Sequence, residues 1–446
     1  MKPFSILFTI LLVLNSTTFQ AQHKIGIFDG QISIGNPKVK GSATFNSDDQ
    51  TYTIDGAGTN MWFEKDEFQY LWTTLQGDFI LRTTVNFEGK GKDPHRKAGW
   101  IIKNNLDDNS AHVNASTHGD GLTSLQYRKT VGGLTEEVKS SHENPTIIQL
   151  ERHGTTYIMS TAKFGEEFTS IELTDMDLDN EVYVGLYVCS HNPKVLERAT
   201  FSNVRIVKPV GDDYQAYREY IGSNLELMNV ETGHREIIYH SAHSIQAPNW
   251  TVDGKKLIYN SKGRLYNYEL ETNSITPLNT GFAIKNNNDH VLTFDGKLLG
   301  ISHHNQDDNG DSALYYLPTN GDSNPKMVTK QGVGASYLHG WSPNNKEMIF
   351  TGDRNGAYNI FTVNLKSGKE EQLTDFPTLD DGPEYTKNGK TIFFNSDRTG
   401  TMQLYSMKAN GKKQTQLTFD DYNDWFPHVS PDQKWIAFIS FPKEIK

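Results

Sequence analysis

One cysteine, Cys189, stands in 446 residues. A single thiol cannot form an internal disulfide, so the fold must rest on burial and hydrogen bonding rather than on covalent cross-links. Lying in VYVGLYVCS, it is read as a buried structural thiol. Positive charge is also short. Against 54 Asp and Glu there are 43 Lys and Arg, a net charge of −11; phosphate binding draws on clustered Lys and Arg, so nucleic acid is not expected as a partner. Beyond residue 22 no apolar run approaches the ~20 residues that a membrane-spanning helix needs. The one such run is at the start, MKPFSILFTILLVLNSTTFQAQ. Lys2, the apolar stretch Phe4 to Leu14 and the polar end Gln20-Ala21-Gln22 have the order of a secretory signal peptide over 1–22. That predicts an exported protein, periplasmic or secreted, and with no Cys after the apolar stretch a lipid anchor is not expected.

What the chain does have is repetition, with 37 Gly and 20 Tyr suited to a turn-rich β protein. Five stretches of its second half follow one pattern: APNWTVDGKKLIYN, NDHVLTFDGKLLGIS, YLHGWSPNNKEMIFT, GPEYTKNGKTIFFNS and FPHVSPDQKWIAFIS. Each is a short approach, a turn and an apolar strand. The third turn residues are Asp253, Asp295, Asn344, Asn388 and Asp432, at intervals of 42, 49, 44 and 44. A period in the forties with about four short strands per unit predicts a β-propeller over 224–446. The text divides into an outer strand pair (224–239), four full blades near 243–282, 286–330, 335–375 and 380–418, and an inner pair from 424. Either the two pairs join and close five blades, or the ring is incomplete. Residues 23–208 lack the period and show ten or so short alternating segments, among them YTIDG, FILRTTVNFEG and VYVGLYVCS, which predict an antiparallel β-sandwich. A polar connector over 209–223, GDDYQAYREYIG at its centre, has the pattern of a short helix.

The segments WSPNNKEMIFTGDRNGAYNIFTVNLKSGKEEQLT and YTKNGKTIFFNSDRTGTMQLYSMKANGKKQTQLT resemble the TolB-type propeller repeat, as does HVSPDQKWIAFIS. The first half, notably GTNMWFEKDEFQY, HGDGLTSLQYR and VGLYVCSHN, resembles concanavalin A-like jelly-roll domains. The pairing implies an all-β protein of a secreted polysaccharide-utilisation system. Two groups of polysaccharide lyases, acting on oligogalacturonate and on ulvan, are also propellers, and the former hold a divalent metal through His residues at blade starts. The likeness here is one of repeats and His placement.

In a propeller, the residues ahead of each first strand surround one mouth of the central channel. Four of these approaches carry His (His243, His290, His339, His428), and the fifth carries Asp380, Asp381 and Glu384. Neutral imidazole ligates transition metals and serves as a general base near neutral pH. Cleaving a uronate polymer by β-elimination needs a group to neutralise the carboxylate, a base and an acid. Tyr337 and His339, two apart in SYLHGW, are expected on one face of a strand as the base and acid. His243, His290 and His428 are the candidate ligands of a divalent ion (Mn, Zn or Ca). Trp425, Asp381 and Glu384 are candidates for substrate contact. So are Arg354 and Arg398, although the recurrence of Asp353-Arg354 and Asp397-Arg398 also suits a structural turn or salt bridge. The leading expectation is a lyase acting on an acidic polysaccharide. Asp380, Asp381, Glu384 and Asp424 offer glycoside hydrolysis as an alternative, and a non-catalytic glycan-binding platform is a third. In the first half, His112, His118, Asp120 and Arg128 are candidates for a concave face that binds sugar or calcium.

Overall fold

The computed structural model describes residues 24–442 apart from 212, 216, 217, 307 and 308; the signal-peptide stretch 1–22 lies outside the described residues. It is all-β. Two compact units are formed, one reaching Tyr214 and including Glu226–Glu236, the other comprising Gln215–Leu225 and Ile237 onward. No helix occurs among the described residues of the connector.

The first unit is a sandwich of two seven-stranded antiparallel sheets. One runs Gly30–Ile34, Phe68–Gln76, Glu181–Cys189, Lys97–Lys103, His112–His118, Thr123–Arg128, Glu136–Lys139. The other runs Thr169–Leu173, Thr156–Ala162, Ile147–His153, Phe79–Phe87, Asn192–Val207, Thr51–Gly58, Ser42–Asn46. Strand side chains alternate between faces, and Leu71, Trp100, Val113 and Leu186 of the first sheet meet Ile54, Leu81, Leu150 and Phe201 of the second in the core. The opposite face of the first sheet is covered too: Tyr70, Ile101, Tyr187 and Cys189 pack with Phe68 and Met61. Burial pushes the Cys189 thiol up to about 11, as suits an inert structural residue. Four strands have no counterpart among the alternating segments of the sequence, and FQYLWTTLQ and HVNASTH show why for two of them. Both are buried on both faces over most of their length, so polarity does not alternate along them.

In the second unit the repeat becomes a hydrogen-bonded turn used five times. The hydroxyls of Thr251, Thr293, Ser342, Thr386 and Ser430 donate to Oδ1 of Asp253, Asp295, Asn344, Asn388 and Asp432 at 2.6–2.9 Å. The same oxygens accept the backbone N–H of Lys255, Lys297, Lys346, Lys390 and Lys434 at 2.9–3.1 Å. The residue after each Asp or Asn is left-handed, which is why three of the five are Gly. Four four-stranded blades follow: Gln246–Pro277, Asn286–Met327, Ser336–Gln372 and Asp380–Gln416. Their apolar faces pack blade against blade; Leu338, Trp341, Met348 and Phe350 of the third blade, for example, meet Leu314 of the second.

The last unit is a pair, Tyr422–Val429 with Ile436–Pro442. The hairpin Ser223–Met228 and Arg235–Ser241 is a separate two-stranded sheet, so the two pairs do not join as a clasp. Phe438 and Ile439 on the last strand remain exposed.

Every inner strand carries a register shift: between Gln246 and Asn249, Asn286 and His290, Leu338 and Gly340, Asp381 and Glu384, Trp425 and His428. A bulge leaves its extra residue unpaired and re-aims the side chains beside it. Each inner strand is thus re-aimed at the matching place in its repeat.

Candidate functional site

Four of the five bulges border a cavity of about 340 Å³ whose polar lining is Asn249, Asn288, Asp289, His290, His339 and His428; the bulge between Asp381 and Glu384 adds no lining residue. Leu338, Phe426 and Phe438 supply apolar wall. Phe426 has φ 54, unusual for a bulky residue. It occupies the bulge place that Gly382 (φ 62) takes in the preceding blade, WFPHV against DGPEY. Its N–H donates to Asn395 Oδ1 at 3.0 Å. Its ring stacks on His339, with centroids 5.7 Å apart and planes 20° from parallel.

His339 is the bulged residue of its strand, and its Nε2 lies 3.0 Å from Asp381 Oδ1. The same oxygen accepts from Thr351 Oγ1 and Gly382 N–H, both at 2.7 Å. Asp381 is thus held by three donors. Burial alone would raise its carboxyl, but His339 and these bonds bring it below the ordinary value. His339 shows the reverse balance: burial works against its charge, and the carboxylates of Asp381 and Asp289 outweigh burial and raise its pKa. Asp289, on the cavity side, is pushed up to about 6, mainly by burial, with His339 opposing and Asp381 adding. Asn287 Nδ2 donates to Asp289 at 2.7 Å. A positioned imidazole and a carboxyl that titrates near neutral pH thus face one cavity, an arrangement suited to proton transfer.

The other sequence candidates fall in different places. Tyr337 and His339 are both half-buried, but the bulge at His339 interrupts the pleat between them, and the Tyr337 ring lies against Tyr358 and His304, at centroid distances of 6.2 and 6.4 Å. Burial pushes its phenol up to about 12. A phenol protonated near neutral pH suits the acid rather than the base of the expected pair, and Tyr337 does not line the cavity.

The three candidate metal ligands are not gathered. His243 is exposed. His290 is buried with Nδ1 2.9 Å from Asn288 O and Nε2 3.1 Å from Ile258 O, so both nitrogens are engaged by carbonyls. His428 Nδ1 binds Glu384 Oε2 at 2.6 Å. Among the described residues, no group of three or more His, Cys, Asp or Glu could hold a metal ion. The residues present do not fit the expected divalent metal.

Arg354 and Arg398 are structural. Arg354 makes two 3.0 Å bonds to Glu370 and packs on the stacked rings of Phe350 and Phe361. Arg398 donates to both oxygens of Asp380, at 2.8 and 3.0 Å, and packs on Phe376 and Tyr405. Neither forms a salt bridge with the carboxylate of the Asp beside it in sequence, although Arg354 Nη1 donates to the Asp353 carbonyl at 2.8 Å. Glu384, besides holding His428, accepts the Val429 N–H at 3.3 Å and so ties two inner strands together. Trp425 packs against Phe426 with the rings tilted by 45° and 5.5 Å between centroids, and does not itself line the cavity. Phe426 was missed from sequence. The signal was there, an aromatic residue where the aligned blade has Gly.

In the sandwich, His112 and Arg128 are buried around Asp66 rather than lining a concave face: Arg128 Nη2 is 2.7 Å and His112 Nδ1 3.6 Å from its carboxylate. Asp120 lies at the surface, 3.4 Å from His95.

A family model described as a TolB beta propeller domain matches residues 326–445. An uncharacterized protein of Agrobacterium fabrum is 38% identical over 224 residues, which is 50% of this chain and 75% of that protein. Among solved structures, a TolB candidate from Agrobacterium tumefaciens is 38% identical, covering 49% of this chain and 78% of its own, with a TM-score of 0.47. An oligogalacturonate lyase from Vibrio parahaemolyticus is 12% identical, covering 50% and 67%, with a TM-score of 0.35. A likeness that loose says nothing of chemistry.

Proposed function

From a chain that belongs to the family of TolB-type β-propeller proteins, we infer an exported carbohydrate-active enzyme whose propeller cavity cleaves polysaccharide by general acid–base catalysis. The observation that carries this is the Asp381–His339 pair opening on a cavity beside Asp289. Asp381 orients the imidazole, His339 moves the proton, and Asp289 is the second proton-transfer group. We keep β-elimination from a uronate-containing glycan as the leading reaction. In it, the Asp289 carboxylate takes the proton α to the uronate carboxylate as electrons move to expel the glycosidic oxygen, which leaves protonated by the His339 imidazolium that Asp381 and Asp289 favour. The sandwich, similar in its sequence segments to concanavalin A-like domains, would hold the polymer.

One observation favours a second reading. Among the described residues no Lys or Arg lines the cavity, so a uronate carboxylate would depend there on imidazolium charge. Hydrolysis of a less charged glycan, with protonated Asp289 as the acid, avoids that demand. One experiment separates the readings: incubate the protein with acidic and neutral polysaccharides, and follow both absorbance near 235 nm and new reducing ends. Elimination produces both signals, hydrolysis only the second. His339→Ala should lower either rate by roughly 10²- to 10⁴-fold while leaving the far-UV spectrum unchanged. No new ends on any polymer would leave the propeller a binding platform and end the enzymatic reading.

A further inference from the structure

The sandwich has a pocket of its own, about 350 Å³, which the propeller chemistry does not use. At its floor is Lys97, only 3% exposed. Its ammonium donates to Asn60 Oδ1 at 3.1 Å and Gln126 Oε1 at 3.2 Å, and lies 5.5 Å from the centroid of the Trp62 ring. An ammonium has three donors; two meet neutral amide oxygens, and no carboxylate salt bridge is formed among the described residues. Glu137, the one carboxylate in the lining, pairs with Lys139 at 3.4 Å, and its attraction for Lys97, with that of Asp66, offsets only part of the burial, so the Lys97 pKa stays lowered. Burying a positive charge against neutral partners is costly, and an anion beside it offsets the cost.

The second polar group is His118, 4% exposed. Its Nδ1 is engaged by Leu122 O at 2.9 Å, so Nδ1 carries the hydrogen and Nε2 is left as an acceptor in the pocket. Burial, with Lys97 adding, lowers the His118 pKa to about 4, which keeps that lone pair free at neutral pH. Trp62, half-buried, gives the pocket a flat apolar wall. One anion-seeking donor, one hydroxyl-seeking acceptor and one aromatic face are thus built into a single pocket.

We propose that this pocket binds an anionic saccharide unit, its carboxylate or sulfate on Lys97, a hydroxyl donating to His118 Nε2, and its ring against Trp62. The site goes beyond the cleavage reading and does not depend on it. The test is calorimetric titration of the full chain carrying His339→Ala, so that no ligand is consumed. The probes are a galacturonate tetramer, a sulfated galactan tetramer and cellotetraose. At least one anionic probe should bind 10-fold or more tighter than cellotetraose, and which one does so identifies the anionic group. Lys97→Met and, as a variant at a more exposed position, Trp62→Ala should each weaken that binding by 10-fold or more, and added salt should weaken it in the parent. Equal binding of the neutral tetramer, or no binding of any, overturns the proposal. Binding that survives in both variants also overturns it and assigns the ligand to the propeller.

Discussion

Asp66 in the sandwich and Asp289 in the propeller are both carboxyls taken largely out of water, yet they are driven in opposite directions. Asp66 is fully buried with Arg128 at 2.7 Å and Lys103 at 2.9 Å. Burial would raise it; His112, Lys103 and Arg128 overcome that and bring it to about 2. His112, itself lowered to about 3 mainly by burial, is neutral at ordinary pH, so the lasting charges are those of Lys103 and Arg128. Asp289 faces chiefly the His339 imidazole, which is shared with a second carboxylate, with His304 a weaker neighbour, and rises to about 6. Two strong cations against one carboxylate make a structural brace. Two carboxylates against one imidazole, open to a cavity, make a group that can exchange a proton.

The comparison breaks most visibly at Arg128. Arg128→Met leaves Asp66 buried with half its pairing gone and should cost about 3–5 kcal/mol in urea unfolding; a loss below about 1 kcal/mol would mean that the cluster is not a brace. Next is Arg398. In the fourth blade it satisfies both oxygens of buried Asp380, whereas Asp424, at the equivalent position of the final pair, is fully buried with neither oxygen bonded. Arg398→Met should therefore destabilise by about 1.5–3 kcal/mol, while Asp424→Asn should be neutral or stabilising; similar losses from both would show the two positions to be alike.

The pH dependences of the two carboxyls should have opposite signs. Asp66, lowered in the fold, contributes stability above its unfolded pKa of about 3.9, and loses it as pH falls toward about 2. Asp289, raised in the fold, favours the protonated native state. Its contribution is present below about 3.9 and is lost as pH rises through about 6. Unfolding of Asp66→Asn and Asp289→Asn across pH 2–7, each compared with the parent, checks both slopes, and a shared sign would refute the contrast. The smallest effect is expected at Phe426: Phe426→Gly relieves a left-handed φ at a cost of order 1 kcal/mol but removes the stack on His339. A few-fold change in turnover with nearly unchanged stability is the outcome to look for.

Most of the fold was legible before the structure. The five turns, the four full blades and the final inner pair lie where the period put them, because each turn is built from contacts within a few residues. The sandwich was legible in ten of its fourteen strands; FQYLWTTLQ and HVNASTH were missed where burial on both faces leaves polarity without alternation, and the short edge strands Glu136–Lys139 and Thr169–Leu173 were missed although they are partly exposed. The site was half legible. His339, Asp381, His290 and His428 were singled out, and three of these four line the cavity. What they do there was not. Counting two residues along a strand assumes a regular pleat, and the bulge at His339 breaks that assumption. The neighbours in TGDRNG and NSDRTG looked like pairs, but extended side chains took partners across the sheet, Glu370 and Asp380.

By itself, then, the repeated Ser/Thr-x-Asp/Asn turn with its following strand determined that this chain builds blades, and the single cysteine determined that no internal disulfide holds them. Tertiary structure decided which polar groups meet. Asp381 reaches His339 from the next blade, Phe426 stacks on that ring from the final pair, and Lys97 and His118 are buried side by side on adjacent strands. Those outcomes depend on bulges, blade packing and burial, and none of these is a property of a residue and its near neighbours in the chain.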